Sequence, residues 1–379
     1  MSSRNKARYV LIAALSGRAL AVSARRAGYA PLVADLFGDA DMRAAVNQSM
    51  TTPGDLASGL HEPALIASLT GLAEGRRCEG LVYGSGFEDR PETLTRLADR
   101  WRLLGNGPGV VSRTKDPLAF AALCHDLGIA HPVVSAAPPS DPKGWLRKRI
   151  GGAGGAHVRP ANGKAEKSEQ SERLYFQRQV AGRAVSLLFL ANGKDTLPLG
   201  FSAQWRNPTR EAPARFGGAV RPAGIGLRLK RRLCTDAENL ARHLGLRGMN
   251  SADFLIEGDT AWMIEINPRP GATLDLFDSP SAPLFALHVD ACRGALPERA
   301  PSWRGGASAA TVYATRPISV MPRLDWPQWC ADRQSAGSRV EAGAPVCTVR
   351  AEASSAGRAR ALVEARILTV LAMAQGRRR

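Results

Sequence analysis

The first hundred residues alternate short apolar stretches, typical of strands, with amphipathic stretches, typical of helices. The apolar stretches occupy residues 8–15, 30–37 and 78–87, and helical patterns separate them. Consecutive parallel strands need helical crossovers, and these helices then cover both faces of the sheet. We therefore predict a parallel α/β domain over residues 1–107, with a last short strand near residues 102–108.

The glycine-rich sequence "YGSGFED" at residues 83–89 follows the third predicted strand of this domain. Parallel sheets bind their ligands at the carboxyl ends of the strands, so this segment is a candidate ligand-binding loop. It lacks the GxGxxG spacing of dinucleotide-binding proteins, and a nicotinamide cofactor is therefore not indicated.

The chain is strongly basic, with a formal net charge of +17 over 379 residues. Most of this charge comes from arginine spread along the whole length, aromatic residues make up only 6%, and no nucleic-acid-binding module is recognisable. This pattern favours attraction of anionic substrates over nucleic-acid binding. The length predicts two or three domains rather than a single core.

Neither a membrane span nor a disulfide framework is indicated. No apolar run approaches the roughly 18–20 residues that cross a bilayer. The apolar stretch near the N-terminus continues directly into a basic amphipathic helix, so we interpret it as a strand and not as a signal peptide. The six cysteines have no CxxC spacing, which predicts buried free thiols. We expect a cytoplasmic protein.

A β-hairpin is predicted over residues 249–267, with its turn at residues 257–260. Alternate residues of an extended chain leave the same face. The second strand therefore groups three polar side chains with one methionine: Glu265, Asn267, Arg269 and Met263. The isoleucines at positions 264 and 266 are assigned to the opposite face. A helix is predicted before the hairpin, over residues 234–246, with Thr235 or Asp236 as its N-cap.

The predicted hairpin also brings acids together across its two strands. Asp253 lies on the first strand and faces Glu265 and Asn267 if the turn is short. Two carboxylates and an amide oxygen suit Mg²⁺, which keeps further positions for phosphate oxygens and water. A solvated edge hairpin with unrelated acids is the alternative, but the apolar flanks of "IEIN" favour buried acids that need a partner.

A lysine followed by glycines forms a second candidate site. Lys148 ends a short, basic predicted strand, and four glycines follow within seven residues: Gly151, Gly152, Gly154 and Gly155. Such a loop can surround phosphates with backbone N–H groups. It is not a Walker A loop, because no GK[ST] follows, and a simple glycine-rich hairpin tip is an equal alternative. Residues 162–172 are polar and charged, which predicts a mobile loop next to it.

These segments, in this order, resemble the ATP-grasp superfamily over roughly residues 8–280. "LLGNGPGVVSRTKDPLAFAALCHDLGIAHP" resembles the entry segment of that family, and "WLRKRIGGAGGAHV" resembles its strand and lid. "YFQRQVAGRAVS" is similar to the hinge between its two lobes, and "ADFLIEGDTAWMIEINPRPG" is similar to its metal-binding hairpin.

The resemblance implies a fold that is α/β, and α+β in the ATP-grasp part. Residues 1–107 would form a Rossmann-like pre-ATP-grasp domain. Residues 108–180 would form the small lid subdomain, and residues 181–300 the large subdomain with the metal hairpin. Residues 301–379 would form a small C-terminal α+β region.

The same resemblance assigns roles to residues. ATP phosphates would contact Lys115, Lys148 and the four glycines. The hinge would hold adenine through residues 177–180, which are Gln177, Arg178, Gln179 and Val180. Mg²⁺ would bind Asp253, Glu265 and Asn267, while Arg269 and Lys148 would act in catalysis. The chain departs from the family in two places: Arg178 occupies the usual acidic hinge position, and the acid that often holds ribose is replaced near residues 184–185.

The activity implied is that of an ADP-forming carboxylate–amine ligase that works through an acylphosphate. The tail sequence around "AGAPVCTV" further resembles ATP-grasp proteins linked to the tetrahydromethanopterin and methanofuran one-carbon pathway, one class of which joins tyramine or tyrosine to glutamate. The expected partners are therefore small amino-acid and amine substrates, and a second copy of the chain in a homodimer. A carboxylase-like or kinase-like ATP-grasp enzyme and a non-catalytic basic binding protein are the alternatives.

Overall fold

The computed structural model describes residues 7–56, 58–163 and 173–375. Helices and sheets are both present, so the predicted α/β class is confirmed. Within these residues, no helix is long and apolar enough to cross a bilayer. Most of the predicted mobile loop, residues 164–172, lies outside the described residues.

The N-terminal part forms a small parallel sheet with helices on both faces. Its elements are, in chain order, β1 Arg8–Ala14, α1 Arg18–Arg26, β2 Tyr29–Asp35, α2 Ala40–Ala45, β3 Gln48–Thr51, β4 Gly54–Asp55, β5 Gly59–Leu60, α3 Glu62–Ala73, β6 Cys78–Tyr83, α4 Pro91–Ala98, α5 Pro108–Lys115 and α6 Pro117–Asp126. The strand order is β3-β2-β1-β6, and every pair is parallel. The parallel sheet predicted from the strand–helix alternation is confirmed.

The short strand predicted near residues 102–108 is wrong. Only Leu103 makes a bridge, to Leu81. The chain cannot continue as a strand because Pro108 begins α5 there, at the first helical position where proline is favoured.

Strand β1 is buried on both sides, as the central strand of a covered parallel sheet must be. Val10 and Ile12 pack with residues of α1 in one core. Leu11 and Ala13 pack with residues of α3 and α4 in another core. This alternation holds the carboxyl end of β1 between two helix layers.

A small antiparallel sheet follows. It contains β7 Val134–Ser135, β8 Trp145–Arg149, β9 Arg159–Pro160 and β10 Leu174–Arg178, in the order β7-β10-β8-β9. The glycine-rich loop connects β8 to β9, so it extends from the edge of this sheet.

The rest of the chain forms one large antiparallel sheet with its helices. The elements are β11 Arg183–Asn192, β12 Thr196–Arg206, β13 Phe216–Arg221, α7 Leu227–Leu244, β14 Arg247–Glu257, β15 Thr260–Asn267, α8 Leu274–Phe277, α9 Leu284–Cys292, β16 Gly306–Tyr313, β17 Cys330–Ala331, β18 Pro345–Ala353 and α10 Ala356–Gln375. The strand order is β15-β14-β11-β12-β13-β16-β18-β17. Because β16 pairs with β13, the C-terminal strands continue the sheet that carries the hairpin.

The N-cap predicted for α7 is wrong. The helix begins at Leu227, with Gly226 as N-cap, so Thr235 and Asp236 lie inside it. Thr235 donates its hydroxyl to the carbonyl of Arg231 instead of capping. The basic run is helical because its leucines pack on the core while its arginines and lysine carry the polar face.

Candidate functional site

A cavity of about 780 Å³ lies between the three larger sheets. Ligand sites in proteins typically enclose about 300–1,000 Å³, so the cavity has the size of a ligand-binding site. Its lining includes all the residues predicted from the sequence to bind cofactor, metal or substrate: Lys115, Lys148, Gly151, Gly152, Gly154, Gly155, Gln177, Arg178, Gln179, Val180, Asp253, Glu265, Asn267 and Arg269.

The predicted hairpin is present, formed by β14 and β15, and its turn falls where expected, with Glu257 paired to Thr260. Asp253 lies directly opposite Glu265 in the ladder. This pairing places the two carboxylates on the cavity face of the large sheet, next to Asn267.

The predicted side-chain faces of β15 are partly wrong. A bulge follows the Asp253–Glu265 pair, because Phe254 pairs with Met263 and leaves Ile264 as the extra residue. An extra residue shifts the alternation by one position. Met263 is therefore fully buried in the core with Ile266, while Ile264 joins Glu265 at the cavity.

Two lysine ammonium groups lie at these acids. Lys115, the last residue of α5, places Nζ 2.9 Å from Oε2 of Glu265 and 2.9 Å from Oδ1 of Asn267. Lys148 places Nζ 3.1 Å from Oε1 of Gln177 and 5.5 Å from the ring centre of Tyr175. Residues far apart in sequence thus form one charged cluster.

The two acids respond differently to this cluster. Burial opposes ionisation of Glu265, but Lys115 and Lys148 outweigh it and lower the pKa of Glu265 to about 2. Burial and the negative charge of Glu265 raise the pKa of Asp253 to about 6. Of two carboxylates this close, the one that the positive charges favour more ionises first as the pH rises, and here that one is Glu265.

The donor set fits a magnesium ion. Asn267 donates its amide to Oδ2 of Asp253 over 3.0 Å, while the buried Oδ1 of Asp253 has no hydrogen-bond partner among the described residues. That oxygen and the carboxylate of Glu265 are the hard donors that Mg²⁺ prefers. The third donor is an amide, and no group of three His, Cys, Asp or Glu side chains suited to a metal occurs in the described ranges.

The glycine-rich loop contacts both neighbouring parts of the molecule. Gly151 and Gly155 have φ of 72° and 73°, in the left-handed region that favours glycine. A Cβ on Gly155 would lie 2.1 Å from the carbonyl oxygen of Ala214, and one on Gly151 would lie 2.6 Å from the backbone of Asp89. The loop is the tip of a hairpin and also lines the cavity, while its contact with phosphates stays a prediction.

The hinge segment, residues 177–180, begins with the last two residues of β10 and lines the cavity. The side chain of Arg178, at the usual acidic position, donates to the carbonyl of Lys143 over 3.1 Å and lies 5.9 Å from the ring of Trp145. The arginine thus holds the hinge to the small sheet. Whether residues 177–180 grip adenine stays a prediction.

Arg269 forms a buried ion pair that the sequence did not indicate. Its Nε donates to Oε1 of Glu88 over 2.6 Å, and Oε2 of Glu88 accepts the backbone N–H groups of Gly86 and Phe87. Burial opposes ionisation of Glu88, yet Arg269 and Lys115 hold its pKa below the ordinary value. The only sequence signal for Glu88 was its place in the segment of residues 83–89, which follows β6 and contains two glycines.

Residues 116–273 match the family described as the ATP-grasp domain. The chain is 24% identical over 250 residues to the carbamoyl phosphate synthase large chain of Deinococcus deserti, which covers 60% of this chain and 24% of that protein. The figures for the Deinococcus radiodurans protein are the same. This chain therefore spans about a quarter of the length of the curated relatives it matches.

Two solved structures show the same fold over nearly the whole chain. The biotin carboxylase from Campylobacter jejuni aligns with a TM-score of 0.70 at 14% identity, covering 95% of this chain and 91% of that one. The N5-carboxyaminoimidazole synthetase from Staphylococcus aureus, complexed with ADP, aligns at 0.68 and 15%, covering 95% and 97%. The chain thus shares its fold with these two proteins, and residues 116–273 match the ATP-grasp domain family.

Proposed function

We propose that this protein is an ATP-dependent, ADP-forming carboxylate–amine ligase that acts through an acylphosphate. One observation carries the proposal: two lysines, three metal-type donors and a buried arginine converge on one cavity, in a chain whose residues 116–273 match the ATP-grasp domain family. Phosphoryl transfer needs positioning and charge neutralisation more than covalent catalysis, and this is what such a cluster supplies.

Two carboxylates and one amide of the hairpin would hold the metal. Asp253, Glu265 and Asn267 would bind Mg²⁺, which neutralises phosphate charge when bound. Lys115 already contacts Glu265 and Asn267, so its ammonium stands next to the site where phosphate oxygens would meet the metal. Lys148 and the backbone N–H groups of the glycine-rich loop would hold the remaining phosphate oxygens.

Arg269 would bind the substrate carboxylate. A guanidinium offers a planar fork that matches a carboxylate, and the pair with Glu88 fixes its orientation in the cavity wall. Glu88 accepts from Nε and the carbonyl of Pro270 accepts from Nη1 over 3.3 Å, so the substrate carboxylate would bind through the remaining N–H groups of the guanidinium.

At the finer level, we propose that the protein joins glutamate to tyrosine or a tyramine-like amine, in the biosynthesis of a methanofuran-type one-carbon cofactor. The support is the resemblance of the tail around "AGAPVCTV". We further propose that it works in the cytoplasm as a homodimer on small-molecule substrates, with no nucleic acid involved.

A carboxylase-like reaction is the second candidate. Its support is in the names of the similar proteins, which include a biotin carboxylase, an N5-carboxyaminoimidazole synthetase and carbamoyl phosphate synthases. In that case the molecule activated next to Arg269 would be bicarbonate.

The test is ADP release with ATP and Mg²⁺ across a panel of acids and amines, with mass spectrometry of the products. A ligase releases one ADP for each adduct that has lost one water. Bicarbonate-dependent release that needs no amine would favour the carboxylase-like reaction. No release with any carboxylate or bicarbonate would overturn both.

A further inference from the structure

The cavity has a second wall, away from the hairpin, that the proposed ligase chemistry does not use. Three segments meet there: the loop after β1, the loop between β2 and α2, and the loop after β17. They bring Ser16, Asp39 and Asp332 to the cavity, with Thr348 of β18 beside them. The backbone N–H of Ala40 donates to the carbonyl of Arg333, which ties the second segment to the third.

Asp39 is the unusual residue of this wall. It is only 4% exposed, and its Oδ2 is buried without a hydrogen-bond partner among the residues that the structure describes. Aspartate before a helix normally caps it with its carboxylate. Asp39 precedes α2 but makes no such bond, so its carboxylate lines the cavity without being held by the backbone of that helix.

The neighbouring acids are occupied by other groups. Asp35 accepts the backbone N–H groups of Gly17 over 3.1 Å and Gly38 over 2.9 Å. Asp41 accepts the backbone N–H groups of Asp332 over 3.1 Å and Arg333 over 2.8 Å. Both acids therefore have structural partners.

The nearest cation is also occupied. Arg18 donates Nε to Asp332 over 2.8 Å and Nη1 to Asp275 over 2.7 Å. One guanidinium thus serves two carboxylates. Burial, and after it the charges of Asp332, Asp35 and Asp41, raise the pKa of Asp39 to about 8. At neutral pH this buried acid therefore keeps its proton unless a cation comes next to it, because the guanidinium of Arg18 is already bound to Asp332 and Asp275.

We propose that Asp39, with Asp332 beside it, binds a positively charged nitrogen of a substrate, one that does not react. This inference rests on the proposed ligase function, because that function defines the substrate. The binding site itself is defined by Asp39 and Asp332. An isolated buried carboxylate is costly, and an ammonium or guanidinium group removes that cost. The nitrogen is a non-reacting one because a carboxylate partner keeps an amine protonated, and a protonated amine is no nucleophile.

Two substrates can supply this nitrogen. One is the α-ammonium group of an amino acid that is activated at its carboxylate. The other is the distal ammonium group of a diamine acceptor. Two matched probe pairs separate these sources: glutamate against glutarate, which lacks the ammonium group, and putrescine against butylamine, which lacks the second one.

The experiment measures dissociation constants of the four probes by calorimetry, in the presence of Mg²⁺ and a non-hydrolysable ATP analogue. The cationic member of one pair should bind the natural protein at least about 10-fold more tightly, the range expected for a charge-assisted hydrogen bond. Asp39→Asn should lose that preference. Asp126→Asn is the matched control, since Asp126 lies on the surface of α6 with its side chain 76% exposed.

A preference for the cationic probe that survives in Asp39→Asn would overturn the proposal, and so would no preference in either pair. Asp39→Ala serves as a second variant if the asparagine fails to fold. Binding and ADP release are measured separately. A cation preference that depends on Asp39, without any ADP release, would contradict the ligase function and support the binding site. ADP release without such a preference would support the ligase function and contradict the binding site.

Discussion

At the scale of single residues, Lys115 contacts side chains that are proposed to bind the metal ion. Its ammonium joins Glu265 and Asn267, two of the three candidate metal donors. Lys115 and a metal ion are thus attracted to the same side-chain oxygens. The oxygens of a bound phosphate would attract both of these cations. The sequence indicated each of these residues separately, but not that the lysine would contact the acids.

Glu265→Gln tests the metal assignment. The change removes the hairpin carboxylate with the lowest pKa, about 2, so Mg²⁺-dependent ADP release should fall about 100-fold or more. The matched control is Glu257→Gln at the turn of the same hairpin, where the side chain is exposed. Release within about 2-fold of the natural protein at saturating Mg²⁺ would contradict the assignment.

Asp39 gives a stability prediction whose sign can be worked out. Its pKa is about 8 in the folded protein and 3.8 ordinarily, so the unfolded chain gives up this proton at lower pH. The folded state of the natural protein therefore loses stability relative to Asp39→Asn as pH rises from about 4 to about 8. Burial is the main cause of the raised pKa, the negative charges of Asp332, Asp35 and Asp41 add to it, and the positive charge of Arg18 opposes it.

Urea unfolding at about pH 5 and about pH 8 checks this prediction. The variant should exceed the natural protein in stability by more at the higher pH. An equal difference at the two pH values would mean that Asp39 is neutralised by the protein itself.

Arg269→Lys tests whether the buried guanidinium binds the substrate carboxylate. Lysine keeps the charge but loses the fork, so kcat/KM for the carboxylate substrate should fall about 10- to 100-fold, while ATP affinity changes little. Arg293→Lys, which alters a partly exposed pair with Glu79, is the control. A larger loss in ATP affinity than in kcat/KM would assign Arg269 to the nucleotide instead.

At the scale of elements, the sequence predicted those features that depend on residues close together in the chain. The strand–helix–strand order of β1, α1 and β2 and the Glu257–Thr260 turn are local in this sense, and both predictions were correct. The bulge at Ile264 was missed, because it depends on how two strands pair and not on the composition of either. The start of α7 was missed because a basic run looks like a solvated surface until its leucines are seen to pack.

The glycine-rich loop allows a matched pair of substitutions. Gly154 and Gly155 both have positive φ, of 68° and 73°, so alanine costs about 1–2 kcal/mol of backbone strain at each. Only at Gly155 would the added Cβ meet a neighbour, the carbonyl of Ala214, whereas nothing lies within 4 Å at Gly154. Gly155→Ala should therefore weaken ATP binding more than Gly154→Ala, as measured by calorimetry. Equal effects would mean that contact of the loop with Ala214 does not matter.

At the scale of the whole molecule, three sheets enclose one cavity, and its key pairs join distant segments. Arg269 and Glu88 are 181 positions apart, and Ser16 and Asp332 are 316 apart. No local pattern predicts such pairs. Residue patterns predicted the hairpin and Lys148, and the ATP-grasp resemblance added Lys115 and the hinge, while the contribution of β16 to β18 to the same sheet came only from the structure. The four domain boundaries remain predictions.

The acylphosphate is the central claim, and oxygen transfer tests it most directly. The protein is given ATP, Mg²⁺, an amine and a carboxylate substrate labelled with ¹⁸O in both oxygens, chosen from the active pair in the panel. Attack of the carboxylate on the γ-phosphate followed by amide formation leaves one ¹⁸O in each inorganic phosphate released with ADP, as read by mass spectrometry. Unlabelled phosphate, or label found in AMP, would contradict the account.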